Sequence, residues 1–118
     1  MTNETKDLPL QDGGVAGRVR KLMQENLSAN HVLEDVAGRL SLSPRQLQRL
    51  LAAEGTSFKK ILKDERTVFA QMHLSRNTEL SVIATSLGYS CVTCLYRAFR
   101  RWTSITPGEY RRQTSDGE

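Results

Sequence analysis

Apolar positions recur at helical spacing along most of the chain, and no stretch reads as a strand, so the pattern predicts an all-α fold. Val15, Val19, Leu22 and Met23 share one face, with Arg18, Arg20 and Lys21 between them, which predicts a helix over about 15–27. Leu33, Val36, Ala37 and Leu40 predict a second helix, capped by Asn30. Ser43-Pro44-Arg45-Gln46 has Ser at the cap, Pro at the first helical position and Gln at the third. That is a capping box with a pre-set φ, and it opens a third helix. Leu47, Leu50 and Leu51 are expected on its inner face, and Gly55 ends it. A longer helix follows from Ser57 to Leu74, with Phe58, Ile61, Leu62, Phe69 and Met72 as its apolar set. Arg76-Asn77-Thr78 breaks it. Leu80, Ile83, Ala84 and Leu87 then define a short helix closed by Gly88, and Ser90 caps the next, which carries Leu95, Ala98, Phe99 and Trp102. Thr106-Pro107-Gly108-Glu109 is a second capping box and opens a last short helix bearing Tyr110.

The pattern contains a duplication. Leu33, Val36, Ala37, Leu40 and Ser43 return 47 residues later as Leu80, Ile83, Ala84, Leu87 and Ser90. Beyond that point the offset is 48: Leu47 answers to Leu95, Arg49 to Arg97 and Leu51 to Phe99. One residue has therefore been added in the second turn or helix start. Each copy reads short helix, tight turn, second helix. In a helix-turn-helix unit the two helices cross steeply, so a small residue is needed where they nearly touch, and Ala37 and Ala84 supply it. The outward face of the second helix is then free to enter a DNA major groove, which is about 12 Å wide.

The outward residues suit that use. In the first copy they are Arg45, Gln46, Gln48 and Arg49; Arg pairs bidentately with guanine and Gln with adenine. In the second they are Val92, Thr93, Tyr96, Arg97 and Arg100, where Val92 and the Thr93 methyl can meet thymine methyls and Arg97 can read guanine or hold phosphate. Ser43, Ser90, Arg100, Arg101 and Arg111 are candidate phosphate contacts. The linker helix of about 18 residues spans roughly 27 Å at 1.5 Å per residue, a length suited to helices set in successive major grooves about 34 Å apart.

Charge narrows the partner. The net charge is +4, but residues 1–14 carry −2 and residues 113–118 carry −2. The body, 15–112, holds sixteen Lys and Arg against eight Asp and Glu. A basic body with acidic ends fits a polyanion partner, which for a helix-turn-helix pair is double-stranded DNA, although a merely basic soluble domain has the same balance. No run of eighteen apolar residues exists and no secretory leader pattern opens the chain, so the expectation is a cytoplasmic protein with no membrane partner.

Other chemistry has little support. Cys91 and Cys94 form a single C-x-x-C at a helix start, without the second pair a zinc site needs. They are read as one semi-buried thiol and one near the turn, with a redox or metal role as the alternative. His31 and His73 complete no triad, and Gly13-Gly14 is not a phosphate-cradling loop. No cofactor and no enzymatic activity are expected. Lys59, Lys60 and Lys63 are read as a solvated face, Arg112 as part of the basic cluster, and Trp102 and Tyr110 as core. A module that docks on a polymerase subunit or another regulator without touching DNA is the competing reading.

At this point the sequence resembles the DNA-binding domain of the AraC/XylS family of transcriptional regulators. The resemblance covers roughly 15–112. It is densest in Ile83-Ala84, Leu87-Gly88-Tyr89-Ser90, Leu95, Arg97-Ala98-Phe99-Arg100-Arg101-Trp102 and Thr106-Pro107-Gly108-Glu109-Tyr110-Arg111. The first half matches at Ala37, Leu42-Ser43-Pro44-Arg45, Leu47-Gln48-Arg49 and Gly55. It departs at Cys91, at Cys94, where the family has an aromatic, and at Ser104, where it often has Gly. The resemblance implies seven helices and two helix-turn-helix subdomains joined by a linker helix. These are expected at 15–56, 76–112 and 57–75, with 1–14 a tail or linker end and 113–118 disordered. It further implies a regulator, more often an activator, that contacts RNA polymerase. An N-terminal sensor or dimerisation domain is expected to precede this chain in a longer protein, the Gly13-Gly14 stretch suiting the end of the linker, with a small single-domain regulator as the alternative.

Overall fold

The computed structural model describes residues 14–29 and 31–116. Among them are seven α-helices and no strand: α1 Gly14–Gln24, α2 Leu33–Arg39, α3 Pro44–Ala53, α4 Phe58–Ser75, α5 Leu80–Ser86, α6 Val92–Thr103 and α7 Pro107–Asp116. By their contacts the residues form two compact units, 14–26 with 31–62 and 27–29 with 63–116, the division falling inside α4. Each unit is built on a short helix packed against the next, α2 on α3 and α5 on α6.

In the first unit Ala16, Val19 and Met23 of α1, Val36 and Ala37 of α2, Leu47 and Leu51 of α3, and Ile61 are buried. In the second, Ala70, Leu74, Ile83, Ala84, Leu87, Leu95 and Phe99 form one cluster, flanked by Leu27, Phe69, Leu80, Tyr89, Trp102, Ile105 and Tyr110. Tyr110 meets Phe99 edge-on at 5.9 Å between ring centroids. The repeat is thus visible in packing, since Val36, Ala37, Leu47 and Leu51 correspond to Ile83, Ala84, Leu95 and Phe99 and all are buried.

Both short helices end alike. Leu42 N–H donates to the Ala37 carbonyl across Ser41, and Tyr89 N–H donates to the Ala84 carbonyl across Gly88. These are Schellman closures, with Ser41 at φ 60° and Gly88 at φ 86° in the left-handed region. From there the turns differ. Two residues, Leu42 and Ser43, lead into α3, whereas Tyr89, Ser90 and Cys91 lead into α6. The added residue therefore lies in the turn, and it moves the cap of α6 from Ser90 to Cys91, whose Sγ accepts from Cys94 N–H. Both expected capping boxes are formed. Gln46 N–H donates to Ser43 Oγ and Ser43 N–H to Gln46 Oε1; Glu109 N–H donates to Thr106 Oγ1 and Thr106 N–H to Glu109 Oε1.

The structure corrects several details. Helix α1 stops at Gln24 rather than near 27. Asn30 lies outside the described residues, and Val32, which has no side-chain acceptor, occupies the cap of α2. Helix α7 runs through Asp116 into the segment expected to be disordered, because no Pro or Gly interrupts it and Thr114 Oγ1 donates back to the Tyr110 and Arg111 carbonyls. Leu50 is 40% exposed, whereas its counterpart Ala98 is 2% exposed. Met72 is exposed too, and Ala70 and Leu74 hold the buried row of α4 in its place.

Candidate nucleic-acid interface

A helix that buries Leu47 and Leu51 must present the opposite face to solvent. On α3 that face carries Arg45, Gln48 and Arg49 at i, i+3 and i+4, all exposed. On α6, which buries Leu95, Ala98 and Phe99, the opposite face carries Thr93, Tyr96, Arg97 and Arg100 at i, i+3, i+4 and i+7, all exposed. Arg45, Gln48 and Arg49 stand 48 residues before Thr93, Tyr96 and Arg97, the offset that relates Leu47 to Leu95. The duplication therefore extends to the outward stripe. Val92, also exposed, adds an apolar patch at the start of α6.

The cations on these faces are available to an external anion. Among the described residues, Arg45, Arg49, Arg97, Arg100 and Arg101 have no carboxylate within ion-pair distance. The exposed pair Arg39–Glu25, 3.2 Å apart, lies off both stripes.

Two expected contacts have partners inside their own unit. Gln46 Oε1 accepts from Ser43 N–H at 2.9 Å, so one of its two lone pairs is engaged at the helix start. Arg111 is half-buried; its Nε donates to the Leu74 carbonyl at 3.1 Å and its Nη2 to the Thr78 carbonyl. Those carbonyls belong to the end of α4 and the residues after it, so Arg111 closes a helix C-terminus with its positive charge. Ser43 is exposed, and its Oγ accepts from Gln46 N–H with the hydroxyl proton still available. Ser90 is exposed in the turn, and Arg101 is exposed near the end of α6.

Sequence spacing gave no sign of two supports beneath these stripes. The Glu54 carboxylate, just past the end of α3, accepts from Val15 N–H at 2.9 Å and Ala16 N–H at 3.0 Å, so it caps α1 from 39 residues away. Gly14 leaves room for it, since a Cβ there would stand 2.7 Å from Glu54 Oε2. In the second unit Arg66 Nη2 donates to the Leu27 and Ala29 carbonyls, fixing that segment against α4.

Residues 36–113 match the helix-turn-helix domain family. The chain is 39% identical over 102 residues to an uncharacterized HTH-type transcriptional regulator of Mycobacterium tuberculosis, covering 85% of this chain and 29% of that protein. It is 39% identical over 98 residues to the HTH-type transcriptional regulator VirS of the same species, covering 82% and 28%. Among solved structures, the C-terminal domain of AraT, a response regulator from Geobacillus stearothermophilus, superposes with a TM-score of 0.72 at 31% identity, covering 84% of both chains. A regulator from Chromobacterium violaceum of the AraC-type DNA-binding-domain class gives a TM-score of 0.77 at 24% identity, covering 95% of this chain and all of that one.

The chain belongs to the AraC/XylS family. It spans less than a third of the length of the mycobacterial relatives it matches. Within the AraC/XylS pattern, the departure at Ser104 now has a structural meaning. Ser104 ends α6 at φ 70°, a left-handed conformation that glycine adopts without penalty. The departures at Cys91 and Cys94 fall on the cap and third position of α6, outside the stripe of Thr93, Tyr96 and Arg97. No described helix is long and apolar enough to cross a membrane.

Proposed function

We propose that this chain reads double-stranded DNA in a sequence-specific manner, with α3 and α6 entering successive major grooves, as the DNA-binding part of a longer transcription regulator. The carrying observation is the duplicated outward stripe: Arg45, Gln48 and Arg49 recur as Thr93, Tyr96 and Arg97, each set exposed opposite a buried row. In this reading Arg45, Arg49 and Arg97 address guanine N7 and O6, and Gln48 addresses adenine. Val92 and the Thr93 methyl pack on thymine methyls, and Tyr96 lies across the same base edges. Ser43, Ser90, Arg100 and Arg101 hold phosphates, which position the helices without reading sequence. Arg111 is left out of this set because its Nε and one Nη2 proton are directed at two carbonyls of its own unit. The remaining length of the relatives leaves room for a sensor or dimerisation domain, and activation through RNA polymerase contact, in the cytoplasm, completes the proposal.

The test is selection of the chain's site from random duplexes, followed by binding competition. Arg49→Ala is expected to cost about 1–3 kcal/mol on the selected duplex and to relax preference at one base position. An unchanged ratio between specific and random duplexes would remove Arg49 from base reading. Failure to enrich any duplex would remove the proposal as a whole.

A further inference from the structure

A capping-box helix start brings the side chains of its cap and third residues together, because each reaches the other's backbone N–H. In α3 those positions hold Ser43 and Gln46, and in α7 Thr106 and Glu109. In α6 they hold Cys91 and Cys94. Both thiols are free, their Sγ atoms are 3.1 Å apart, and Cys94 N–H donates to Cys91 Sγ at 3.4 Å. A disulfide needs about 2.05 Å between sulfurs, so closure asks for an approach of about 1 Å, within reach of side-chain rotation. Cys91 is exposed and Cys94 half-buried, so an incoming reagent meets Cys91 first.

We propose that Cys91 and Cys94 form a redox-active dithiol at the start of α6, with hydroperoxides as its oxidising substrates. Cys91 is the attacking sulfur and Cys94 the resolving one. Hydrogen bonds from the Cys94 thiol and backbone N–H, then from Thr93 N–H, with the nearby Arg97 charge, hold the Cys91 thiol below its ordinary range. The Cys91 thiolate attacks the terminal oxygen of the hydroperoxide. The O–O bond breaks, the alkoxide leaves and takes a proton, and Cys91 becomes a sulfenic acid. The Cys94 sulfur then attacks the sulfenic sulfur, the S–O bond breaks, and water leaves. Two thiols and one hydroperoxide give one disulfide, one alcohol and one water. A low-molecular-weight dithiol reverses the reaction by exchange. The ring so closed contains Val92 and Thr93, the residues assigned above to thymine methyls; the thiol chemistry itself does not depend on that assignment.

The experiment uses the full chain, reduced with dithiothreitol, freed of reductant under anaerobic conditions and exposed to one equivalent of hydrogen peroxide. Expected is joint loss of both thiols, a mass lower by two hydrogens, a single peptide containing the Cys91–Cys94 link, no covalent dimer, and full recovery with dithiothreitol. Cys94→Ser is expected to stop at a Cys91 sulfenic acid that dimedone traps. Cys91→Ser, which keeps an oxygen acceptor at the cap, is expected to consume peroxide about ten-fold more slowly, at the rate of a thiol without the Cys91 surroundings. Intermolecular disulfides, overoxidation of Cys91 with Cys94 still a thiol, or a Cys91→Ser rate equal to the unaltered chain would each overturn the proposal.

Discussion

Gly88→Ala is expected to cost far more stability than the same change at Gly55, although both glycines stand in the left-handed region, at φ 86° and 83°. Each closes a helix by a Schellman pattern, so the conformational penalty for a Cβ is shared. That penalty is about 1–2 kcal/mol, offset in part by the smaller freedom of alanine in the unfolded chain. The surroundings differ. A Cβ at Gly55 meets nothing within 4 Å, whereas one at Gly88 would stand 2.5 Å from the Ser28 carbonyl oxygen and 3.2 Å from two further Ser28 backbone atoms. Backbone cannot rotate away as a side-chain tip can, and the neighbouring carbonyls of Leu27 and Ala29 are already held by Arg66. Overpacking of this kind costs about 1–3 kcal/mol. Gly55→Ala should therefore lower stability by about 1 kcal/mol and Gly88→Ala by about 2–4 kcal/mol. Urea unfolding measures both. Trp102, the single tryptophan, reports the second unit by fluorescence, and far-UV circular dichroism reports the helices of both. Equal losses at the two positions would show that Ser28 does not lie against Gly88 and that the account of the second turn is wrong.

Ser41→Gly and Ser104→Gly relieve left-handed residues at φ 60° and 70°, and each should raise the urea midpoint by an amount worth about 0.5–1 kcal/mol. Arg111→Met should cost about 1–3 kcal/mol of stability while leaving the salt dependence of duplex binding unchanged, because it removes charge-assisted bonds to Leu74 and Thr78. Arg101→Gln should do the reverse, leaving stability unchanged and lowering the salt slope by about one. The Glu109 carboxyl is held below its ordinary range by Thr106, chiefly through its backbone N–H. The stability it contributes is full above the ordinary carboxylate range and is lost as pH falls through its lowered folded value. The stability gap between the unaltered chain and Glu109→Gln should therefore narrow on acidification; a gap independent of pH would refute this.

The elements that were legible in sequence are those specified by local chemistry. Ser43 with Gln46 and Thr106 with Glu109 announce their helix starts because a capping box needs only four consecutive residues. The repeated Ala37 and Ala84 announce the crossings because both units must solve the same packing problem. What escaped depends on tertiary contact. Glu54 caps α1 from 39 residues away, and Arg111 reaches Leu74 from 37, so no window of sequence contains both partners. That Arg111 closes a helix end was not legible, because such an arginine and a surface one look identical in sequence. Leu50 read as core because spacing alone cannot tell whether anything covers the flank of α3. The cap of α6 was misplaced by one residue because Ser90 is the better capping residue, yet the longer turn puts Cys91 there.

Hydroxyl-radical footprinting on the selected duplex tests the central claim most directly. Two protected windows on one face of the DNA, their centres about 10–10.5 base pairs apart, are expected. Arg49→Ala should weaken one window and Arg97→Ala the other. A single window, or protection that both variants erode alike, would contradict reading by two separate helices.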